Sequence, residues 1–300
     1  MKQKWIIKLV ITVLALAVFA PLASATTQKP INEKLGVPIV VYGANLSDAE
    51  KEIMKTAFRV NEESEIDEVT VSGDDLVQYI KNSNASSRMY SSAKITRQEE
   101  GKGLVISILT PENITEVTAE IYANAMVTAG IEDAIVEIAA PKPVTGHSAL
   151  VGIYKAYEVK TGEKLDIERT DVANEELNIA TSIADSAGIS DEKVAELLTE
   201  IKKVIAEQKP VSREEVQQIV EEQLSRLQIN LSEQDRQLLI DLMDRIRSLD
   251  IDFSKLSSQL SDLSKTIEEK FAPILQDEGF WNGVKNFFNK LIETISSWFK

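Results

Sequence analysis

The stretch from Ala123 to Leu150 constrains the fold of this chain more than any other part of the sequence. It predicts the end of a helix, a stop at Gly130, a strand at Ala134–Ala140, a turn with two prolines, and a second helix that begins near His147 or Ser148. The strand is apolar at nearly every position, so we expect both of its faces to be covered. A strand covered on both faces lies in the middle of a sheet.

The turn with two prolines, residues 141–148, is called the elbow below. It leads from the carboxyl end of the strand directly into a helix N-terminus, where α/β proteins often bind ligands because backbone N–H groups converge there. We therefore select six elbow residues as candidate ligand-binding residues: Pro141, Pro143, Thr145, Gly146, His147 and Ser148.

The elbow does not predict a catalytic site. Gly146-His147-Ser148 begins a G-x-S-x-G nucleophile motif, but Leu150 stands in place of the second glycine. His147 is the only histidine of the chain and is adjacent to Ser148, so a Ser-His-Asp triad has no separate base. A helix N-terminus with a threonine or serine cap is the simpler interpretation. We assign no catalytic residues.

Glu137 interrupts the apolar strand, and it is the acid to examine if the protein is a hydrolase. Burial would raise the pKa of its carboxyl group. The chain has 48 acidic residues, so carboxylate pairs are expected by chance. A solvated position at a sheet edge is the simpler explanation of Glu137. A carboxylate-dependent hydrolase that acts on cell-wall polysaccharide or peptide is the alternative function.

Residues 1–25 predict a secretory signal peptide. The segment has a basic start, an apolar run and a small-x-small cleavage site at Ala23-Ser24-Ala25. An uncleaved membrane anchor is the alternative. Cleavage would remove three lysines and no acid, which changes the net charge from −15 to about −18. Such a charge argues against nucleic acid as a partner.

Residue types that build common metal and cofactor sites are scarce in this chain. The absence of cysteine excludes disulfides, thiolate metal sites and a lipid anchor attached through cysteine. With one histidine and no cysteine, a zinc site would have to be built almost entirely from carboxylate ligands. No P-loop, EF-hand loop or G-x-G-x-x-G motif occurs. We therefore predict neither a metal nor a cofactor.

The order of predicted elements before the elbow is β-α-β-α-β-β-α-β. It includes a hairpin of Ala93–Arg97 with Leu104–Leu109. This order predicts an α+β fold, a mixed-sheet α/β sandwich. The predicted domains are a signal peptide (1–25), a disordered tail (26–36), the α+β domain with a helical extension (37–208), an all-α module (209–278) and an amphipathic helix (279–300).

Helix boundaries follow from capping patterns and apolar spacing. The capping box Ser47-x-x-Glu50 begins the first helix, with Ile53, Met54, Ala57 and Phe58 facing inward. The next helix begins at Asp74 or Asp75. Later helices are predicted to begin at Thr115 and Val172, and Ser190 is an expected N-cap.

A heptad seam is predicted near the end of the chain. Nine apolar residues alternate in steps of three and four: Leu239, Leu242, Ile246, Leu249, Phe253, Leu256, Leu260, Leu263 and Ile267. The segment Asp250-Ile251-Asp252 favours an intramolecular hairpin of two helices, one of them over Asp252–Phe271. An oligomeric coiled coil is the alternative, and in such a homo-oligomer the partner would be a second copy of the chain.

The last 21 residues, Phe280–Lys300, predict a strongly amphipathic helix. Its apolar face consists of Phe280, Trp281, Val284, Phe287, Phe288, Leu291, Ile292, Ile295, Trp298 and Phe299. Each of these residues would lose about 1.5–3 kcal/mol by staying in water. The helix therefore requires a surface, which is a membrane interface, a partner, or the helices of the protein itself.

Several segments resemble the YpuA-like family, a domain of unknown function in secreted proteins of Gram-positive bacteria. They are Gly43–Ser47, Asn124–Ile131, Ala139–Gly146, Ala149–Ile153, Ala156–Glu158 and Thr161–Glu163. The resemblance extends from about Val37 to Phe271, and His147 departs from the family pattern of a small or polar residue. It implies an extracytoplasmic location and supplies no reaction, cofactor or catalytic residue.

Together these features predict a secreted, non-enzymatic binding protein of the cell envelope. We expect its partner to be an envelope component or the membrane surface. The elbow would bind the ligand, and the C-terminal helix would lie on a membrane surface, on a partner or on the protein's own helices. The alternatives are the hydrolase and a structural oligomer built through the helical module.

Overall fold

The computed structural model describes residues 36–63, 65–249 and 251 of the 300-residue chain. In these residues it has five strands: β1 Ile39–Gly43, β2 Asp67–Val71, β3 Ser92–Arg97, β4 Leu104–Ile108 and β5 Ala134–Ala139. It also has eight α-helices: α1 Asp48–Ala57, α2 Gly73–Tyr79, α3 Ala119–Ala129, α4 Ser148–Thr161, α5 Ile167–Ala187, α6 Asp191–Gln208, α7 Arg213–Arg226 and α8 Glu233–Ser248.

The five strands form one mixed sheet in the order β2-β1-β3-β5-β4. Strand β1 is parallel to β2 and antiparallel to β3, and β5 is antiparallel to β3 and parallel to β4. This sheet, with helices that are mostly gathered later in the chain, confirms the predicted α+β class.

The predicted hairpin of β3 with β4 is wrong, because β5 lies between these two strands. Val136 of β5 is opposite Ile95 of β3 on one side and opposite Ile106 of β4 on the other. The connection between β3 and β4 bends around the start of β5, where the N–H of Gln98 donates to the carbonyl of Asp133. Two antiparallel strands joined by a short loop have the same sequence pattern whether they pair directly or around a third strand.

Strand β5 is buried fully on one face only. Ala134, Val136 and Ile138 are completely buried beneath helices, whereas Ile135 on the other face is 37% exposed. The strand that is buried at every position is β1. Met54 and Phe58, in and just after α1, pack on Val40 and Tyr42 of β1, but this second cover reaches β5 only at Ala139.

Helices cover the first face of the sheet in successive layers. Helix α4 packs on β1, β2 and β3, and α3 packs on β4. Helices α5 and α6 pack on α3, α7 packs on α6, and α8 packs on α5 and α7. A single hydrophobic core runs from strand residues such as Val136 to Leu239 and Met243 of α8. It is continuous across the boundary predicted after residue 208.

Most helix boundaries match the predicted caps. The capping box of Ser47 and Glu50 is present at α1, and Ser190 caps α6. Helix α2 is capped by Ser72, which forms its own capping box with Asp75. The expectation that Ile53 faces inward is wrong, since its side chain is exposed on α1.

Helix α2 begins at Gly73, just before the predicted Asp74 or Asp75, and two further helices begin four or five residues from the predicted position. Helix α3 begins at Ala119 instead of Thr115, because the N–H groups of Thr115 and Glu116 donate to the elbow carbonyls of Val144 and Thr145. Helix α5 begins five residues before Val172, where the Asp166 carboxylate accepts from two backbone N–H groups of the first turn.

A buried polar network joins α3, α5 and α6. Lys202 of α6 donates to a carboxylate oxygen of Glu176 on α5 over 2.7 Å, and both side chains are 1% exposed. Lys202 also donates to the carbonyl of Asn124, and the hydroxyl of Thr128 donates to Glu176. The two charges are therefore compensated in the absence of water, as a buried ion pair requires.

Several predictions concern residues outside the described part of the chain. These are the signal peptide, nearly all of the disordered tail, the helix predicted at Asp252–Phe271 and the amphipathic helix Phe280–Lys300. Of the heptad seam, Leu239, Leu242 and Ile246 are buried within α8 and Leu249 follows it, while the remaining members lie outside. No helix within residues 36–251, as described, has the length and hydrophobicity to cross a membrane.

Candidate functional site

The elbow is held in place by the segment that precedes α3. The side-chain amide of Asn113 donates to the carbonyl of Ala140 over 2.8 Å, and the N–H of Val144 donates to the carbonyl of Asn113 over 2.9 Å. The hydroxyl of Tyr122, a fully buried residue of α3, donates to the carbonyl of Gly146 over 2.7 Å. These bonds fix the path of the elbow between β5 and α4.

Gly146 has a backbone conformation and surroundings that favour glycine. Its φ of 101° lies in the region that residues with a Cβ rarely adopt. An added Cβ would lie 2.6 Å from the Tyr122 hydroxyl oxygen and 2.8 Å from Cγ2 of Ile114. The sequence therefore places a glycine where the elbow turns against α3.

Lys142 attaches the other end of the elbow to α1. Its Nζ lies 2.8 Å from Oε1 of Glu50 and 4.0 Å from the centre of the Tyr90 ring. The hydrogen bond from Lys142, together with those from Ser47, lowers the pKa of Glu50 to about 2. The capping box of α1 thus also positions the elbow.

The N-terminus of α4 lacks the side-chain cap that the other seven described helices have. Its N-cap residue is His147, which makes no capping hydrogen bond. The N-caps of the others accept hydrogen bonds from first-turn N–H groups. The N–H groups of His147 and Ser148 donate to no described residue. These donors therefore remain available to a ligand.

A cavity of about 440 Å³ lies in front of this helix terminus, and we call it the elbow cavity. Four segments form it: the end of α2, the loop before β3, the elbow, and α5. Its lining residues are Leu76, Ile80, residues 87–90, residues 144–148, Asn174 and Asn178. The volume is in the range of cavities that bind small molecules.

Asn174 is a buried lining residue whose hydrogen-bonding capacity is only partly used. It is 6% exposed, and its Nδ2 donates to the Thr170 carbonyl over 2.7 Å and to the Tyr154 hydroxyl over 3.2 Å. The bond to a carbonyl identifies Nδ2 as the donor. Its Oδ1 accepts no hydrogen bond from the described residues. This oxygen is not one of the fully enclosed side-chain atoms that lack a partner, so it stays open to a donor from a ligand.

Other polar groups of the elbow cavity are also without a partner among the described residues. The side chains of Ser87, Ser148 and Asn178 form no hydrogen bond there, and Arg88 forms no ion pair. No aspartate or glutamate lines the cavity, although the chain has 48 acidic residues. The cavity therefore offers unused donors and one positive charge in an otherwise acidic protein.

His147 adds little positive charge at neutral pH. Its side chain is 29% exposed, and burial lowers the pKa of the imidazole, while Glu116, whose carboxylate oxygen lies 4.0 Å from Nδ1, raises it by a smaller amount. No hydrogen bond joins His147 to the hydroxyl of Ser148. The two residues lie side by side at the helix terminus.

The structure brings four of the six candidate residues to the elbow cavity: Thr145, Gly146, His147 and Ser148. Pro141 and Pro143 shape the elbow but do not line the cavity. Sequence reasoning missed Arg88, Asn174 and Asn178. The two asparagines, four residues apart on a largely buried helix, were a usable signal, whereas nothing distinguishes Arg88 within a polar loop.

Glu137 does not occupy a solvated edge, so that prediction is wrong. Strand β5 has neighbours on both sides, and the Glu137 side chain is 12% exposed. Its carboxylate oxygens lie 3.2 Å from Lys94 Nζ and 3.2 Å from an Arg59 guanidinium nitrogen. This ion-pair network lies on the sheet face opposite α3 and α4. The described residues contain no group of three or more acidic or histidine side chains that could hold a metal ion.

Comparison with known proteins identifies a family and a relative of similar length. Residues 42–263 match the family described as "Protein of unknown function (DUF1002)". The uncharacterized protein YpuA of Bacillus subtilis (strain 168) is 34% identical over 304 residues, which cover 99% of this chain and 97% of YpuA. No solved structure matches the chain.

Proposed function

This chain belongs to the DUF1002 family, the YpuA-like family of proteins of unknown function, and we propose that it is a non-enzymatic binding protein of the cell envelope. The ligand occupies the elbow cavity. The observation that carries the proposal is the lining of that cavity, where unpaired polar groups of the loop before β3, the elbow and α5 converge. Preformed sites of this kind bind ligands with little loss of conformational entropy.

The location rests on residues 1–25, whose basic start, apolar run and Ala23-Ser24-Ala25 are typical of a secretory signal. A secreted protein meets ligands of the cell envelope first. We therefore propose that the ligand is a fragment of the envelope, and that residues 280–300 hold the protein at a membrane surface by their apolar face.

Methionine provides a direct probe of the elbow cavity. The chain has five methionines, and Met89 is the one that lines the cavity. In mature protein labelled with ¹³C at the methionine methyl groups, we expect soluble fragments of purified cell wall to shift the Met89 signal in a saturable way. The signals of Met54 and Met243, buried elsewhere, should not move.

A matched pair of variants tests whether such a shift reports on the cavity. Asn178→Trp places a large side chain in the cavity, at an exposed position of α5. Ser182→Trp makes the same change one turn further along, at an exposed residue that does not line it. We expect the first variant to lose the Met89 shift and the second to keep it. Equal shifts in both variants, or no Met89 shift in the parent protein, would overturn the proposal.

The same mixture tests the hydrolase alternative. An enzyme would convert the fragments with time, so new reducing ends or free peptides would accumulate, and Glu137→Gln would stop their formation. If products accumulate with the parent protein and do not accumulate with Glu137→Gln, the protein is a hydrolase and the binding proposal is wrong.

A further inference from the structure

The groups that surround the elbow cavity specify more than the presence of a ligand. We propose that the cavity binds a monocarboxylate that also carries an N–H donor, as at the C-terminal end of a short peptide. The inference rests on the proposed binding function and narrows it to one class of ligand.

The negative charge of the ligand is inferred from the N-terminus of α4 and Arg88. Helix α4 has 14 residues, and its terminus carries about half a positive charge, with the N–H groups of His147 and Ser148 unused. Arg88 adds a full positive charge without an ion pair among the described residues. No acidic side chain among the lining residues compensates these charges. An anion at this position would receive hydrogen bonds from both sources.

The size of the charge favours a carboxylate over a phosphate. Burial lowers the pKa of His147, so the positive charge of the lining comes mainly from Arg88 and the helix terminus, roughly one and a half charges. The carboxylate of Glu116, 4.0 Å from Nδ1 of His147, further disfavours an anion with two charges. A carboxylate carries one negative charge, and its two oxygens match the paired donors of a guanidinium. A phosphate monoester at pH 7 has a charge near −2, in a protein whose overall charge is already −15.

The donor on the ligand is inferred independently from Asn174. Its Oδ1 has no partner among the described residues, although the side chain is 94% buried and lines the cavity. Because Nδ2 is committed to Thr170 and Tyr154, this amide can only accept at the free position. A ligand that fills the cavity without a donor would leave this acceptor buried and unpaired, which weakens binding.

Apolar lining residues allow room for a side chain beside the two polar contacts. Leu76, Ile80 and Met89 come from α2 and the loop that follows it, and they form an apolar part of the lining. A peptide end has the three features required: a carboxylate, an amide N–H next to it, and a small side chain. Free carboxylates such as propionate have only the first.

Four probes separate these features in the Met89 assay. N-acetyl-alanyl-alanine, tested in its L,L and D,D forms, has the carboxylate and the N–H groups. Its C-terminal amide lacks the charge, propionate lacks the donor, and inorganic phosphate replaces the carboxylate. We expect at least one stereoisomer of the acetylated dipeptide acid to bind. The amide, propionate and phosphate should each bind at least about tenfold more weakly. Binding of the amide, of propionate or of phosphate with equal affinity would overturn the inference.

Two variants test the role of Arg88 without disturbing the fold. Arg88→Gln removes a charge from an exposed loop side chain, and Lys102→Gln removes one from an exposed loop away from the cavity. We expect the first to weaken binding of the dipeptide acid about tenfold or more and the second to leave it unchanged. An equal affinity in the two variants would contradict the assignment.

The ligand class and the binding function can fail separately. If cell-wall fragments shift Met89 but neither dipeptide acid does, the ligand class is wrong and the binding function stands. If neither fragments nor dipeptides shift Met89, both are wrong.

Discussion

At the scale of single residues, Gly146 combines two requirements that can be separated by experiment. Its φ of 101° disfavours a side chain, and the space for a Cβ is occupied by Tyr122 and Ile114. Gly162 at the end of α4 shares only the first requirement, with a φ of 74° and no atom within 4 Å of an added Cβ. The two glycines thus form a natural matched pair.

We expect Gly146→Ala to lower the free energy of unfolding by more than Gly162→Ala does. The positive φ costs both variants about 1–2 kcal/mol, and the contact with Tyr122 and Ile114 should add about 1–3 kcal/mol at residue 146. Urea unfolding followed by circular dichroism measures both losses. Losses of the same size would show that the elbow relaxes away from Tyr122 without cost.

Glu50 makes the attachment of the elbow to α1 dependent on pH. Its pKa in the folded protein is about 2, below the ordinary value of 4.5. A lowered folded pKa means that the carboxylate stabilises the folded protein above about pH 4.5 and that this contribution is lost as the pH falls toward 2. We expect the melting temperatures of wild type and Glu50→Gln to differ at pH 6, to differ less at pH 3, and to converge as the pH falls to about 2.

Lys142→Gln provides the control for this pH dependence. The hydrogen bond from Lys142 is the largest cause of the lowered pKa of Glu50. Removing it should reduce the pH dependence that Glu50 contributes, while the two hydrogen bonds from Ser47 preserve the rest. A difference between wild type and Glu50→Gln that is the same at pH 6 and pH 3 would contradict the role given to this carboxylate.

At the scale of elements, the Lys202–Glu176 pair joins the helices that lie over α3. Removal of one member would leave the other charge buried and uncompensated, whereas replacement of both by apolar residues of similar size leaves no such charge. Replacement of Lys202 removes the donor to the Asn124 carbonyl. Replacement of both residues also removes the acceptor of the Thr128 hydroxyl.

We expect Lys202→Met to lower the free energy of unfolding by about 3–5 kcal/mol. The double variant Lys202→Met/Glu176→Leu should recover a large part of this loss. Urea unfolding of the two variants and the wild type gives the comparison. A double variant as unstable as the single one would show that packing in the helical layers, and not the unpaired carboxylate, determines the loss.

Elements were easier to predict than their partners. Apolar alternation and the capping serines indicate β1, β5, α1 and α6 locally, and the structure has all four elements, with β5, α1 and α6 beginning where the patterns predict. The position of β5 between β3 and β4 depends on pairing between residues distant in sequence, which a local pattern does not contain.

The candidate site also has a part that a local pattern predicts and a part that it does not. The strand–loop–helix pattern predicted Thr145, Gly146, His147 and Ser148, because all four belong to one connection. Arg88 and Asn174 reach the same cavity from the loop before β3 and from α5. Their convergence follows from the packing of α5 on α2 and α3, and a helix pattern alone does not specify which helices meet.

At the scale of the whole molecule, charge and hydrophobicity change together at the end of the sequence. The chain carries a net charge of −15, while the side chains of Phe280–Lys300 sum to +2 with ten large apolar residues at helical spacing. An acidic protein is repelled from an anionic membrane surface, and a basic amphipathic segment is attracted to it. Residues 280–300 are therefore the part of this sequence suited to contact such a surface.

We expect purified mature protein to float with anionic liposomes in a density gradient, and a chain that ends at Asp277 to remain at the bottom. Insertion of the apolar face into the interface removes it from water, at about 25 cal/mol per Å². Two double variants of the full chain refine the comparison. Phe287→Ser/Phe288→Ser alters the predicted apolar face and should abolish flotation, whereas Asn286→Ser/Asn289→Ser alters the polar face and should preserve it.

Thermal unfolding of the same proteins decides between the membrane and the protein's own helices as the surface for this segment. A membrane-surface helix contributes little to folding in solution, so the chain that ends at Asp277 should melt at the temperature of the full chain. If neither protein floats and the shortened one melts earlier, the segment packs on the protein itself. The envelope ligand would then be bound through the elbow cavity alone, without support from a membrane contact.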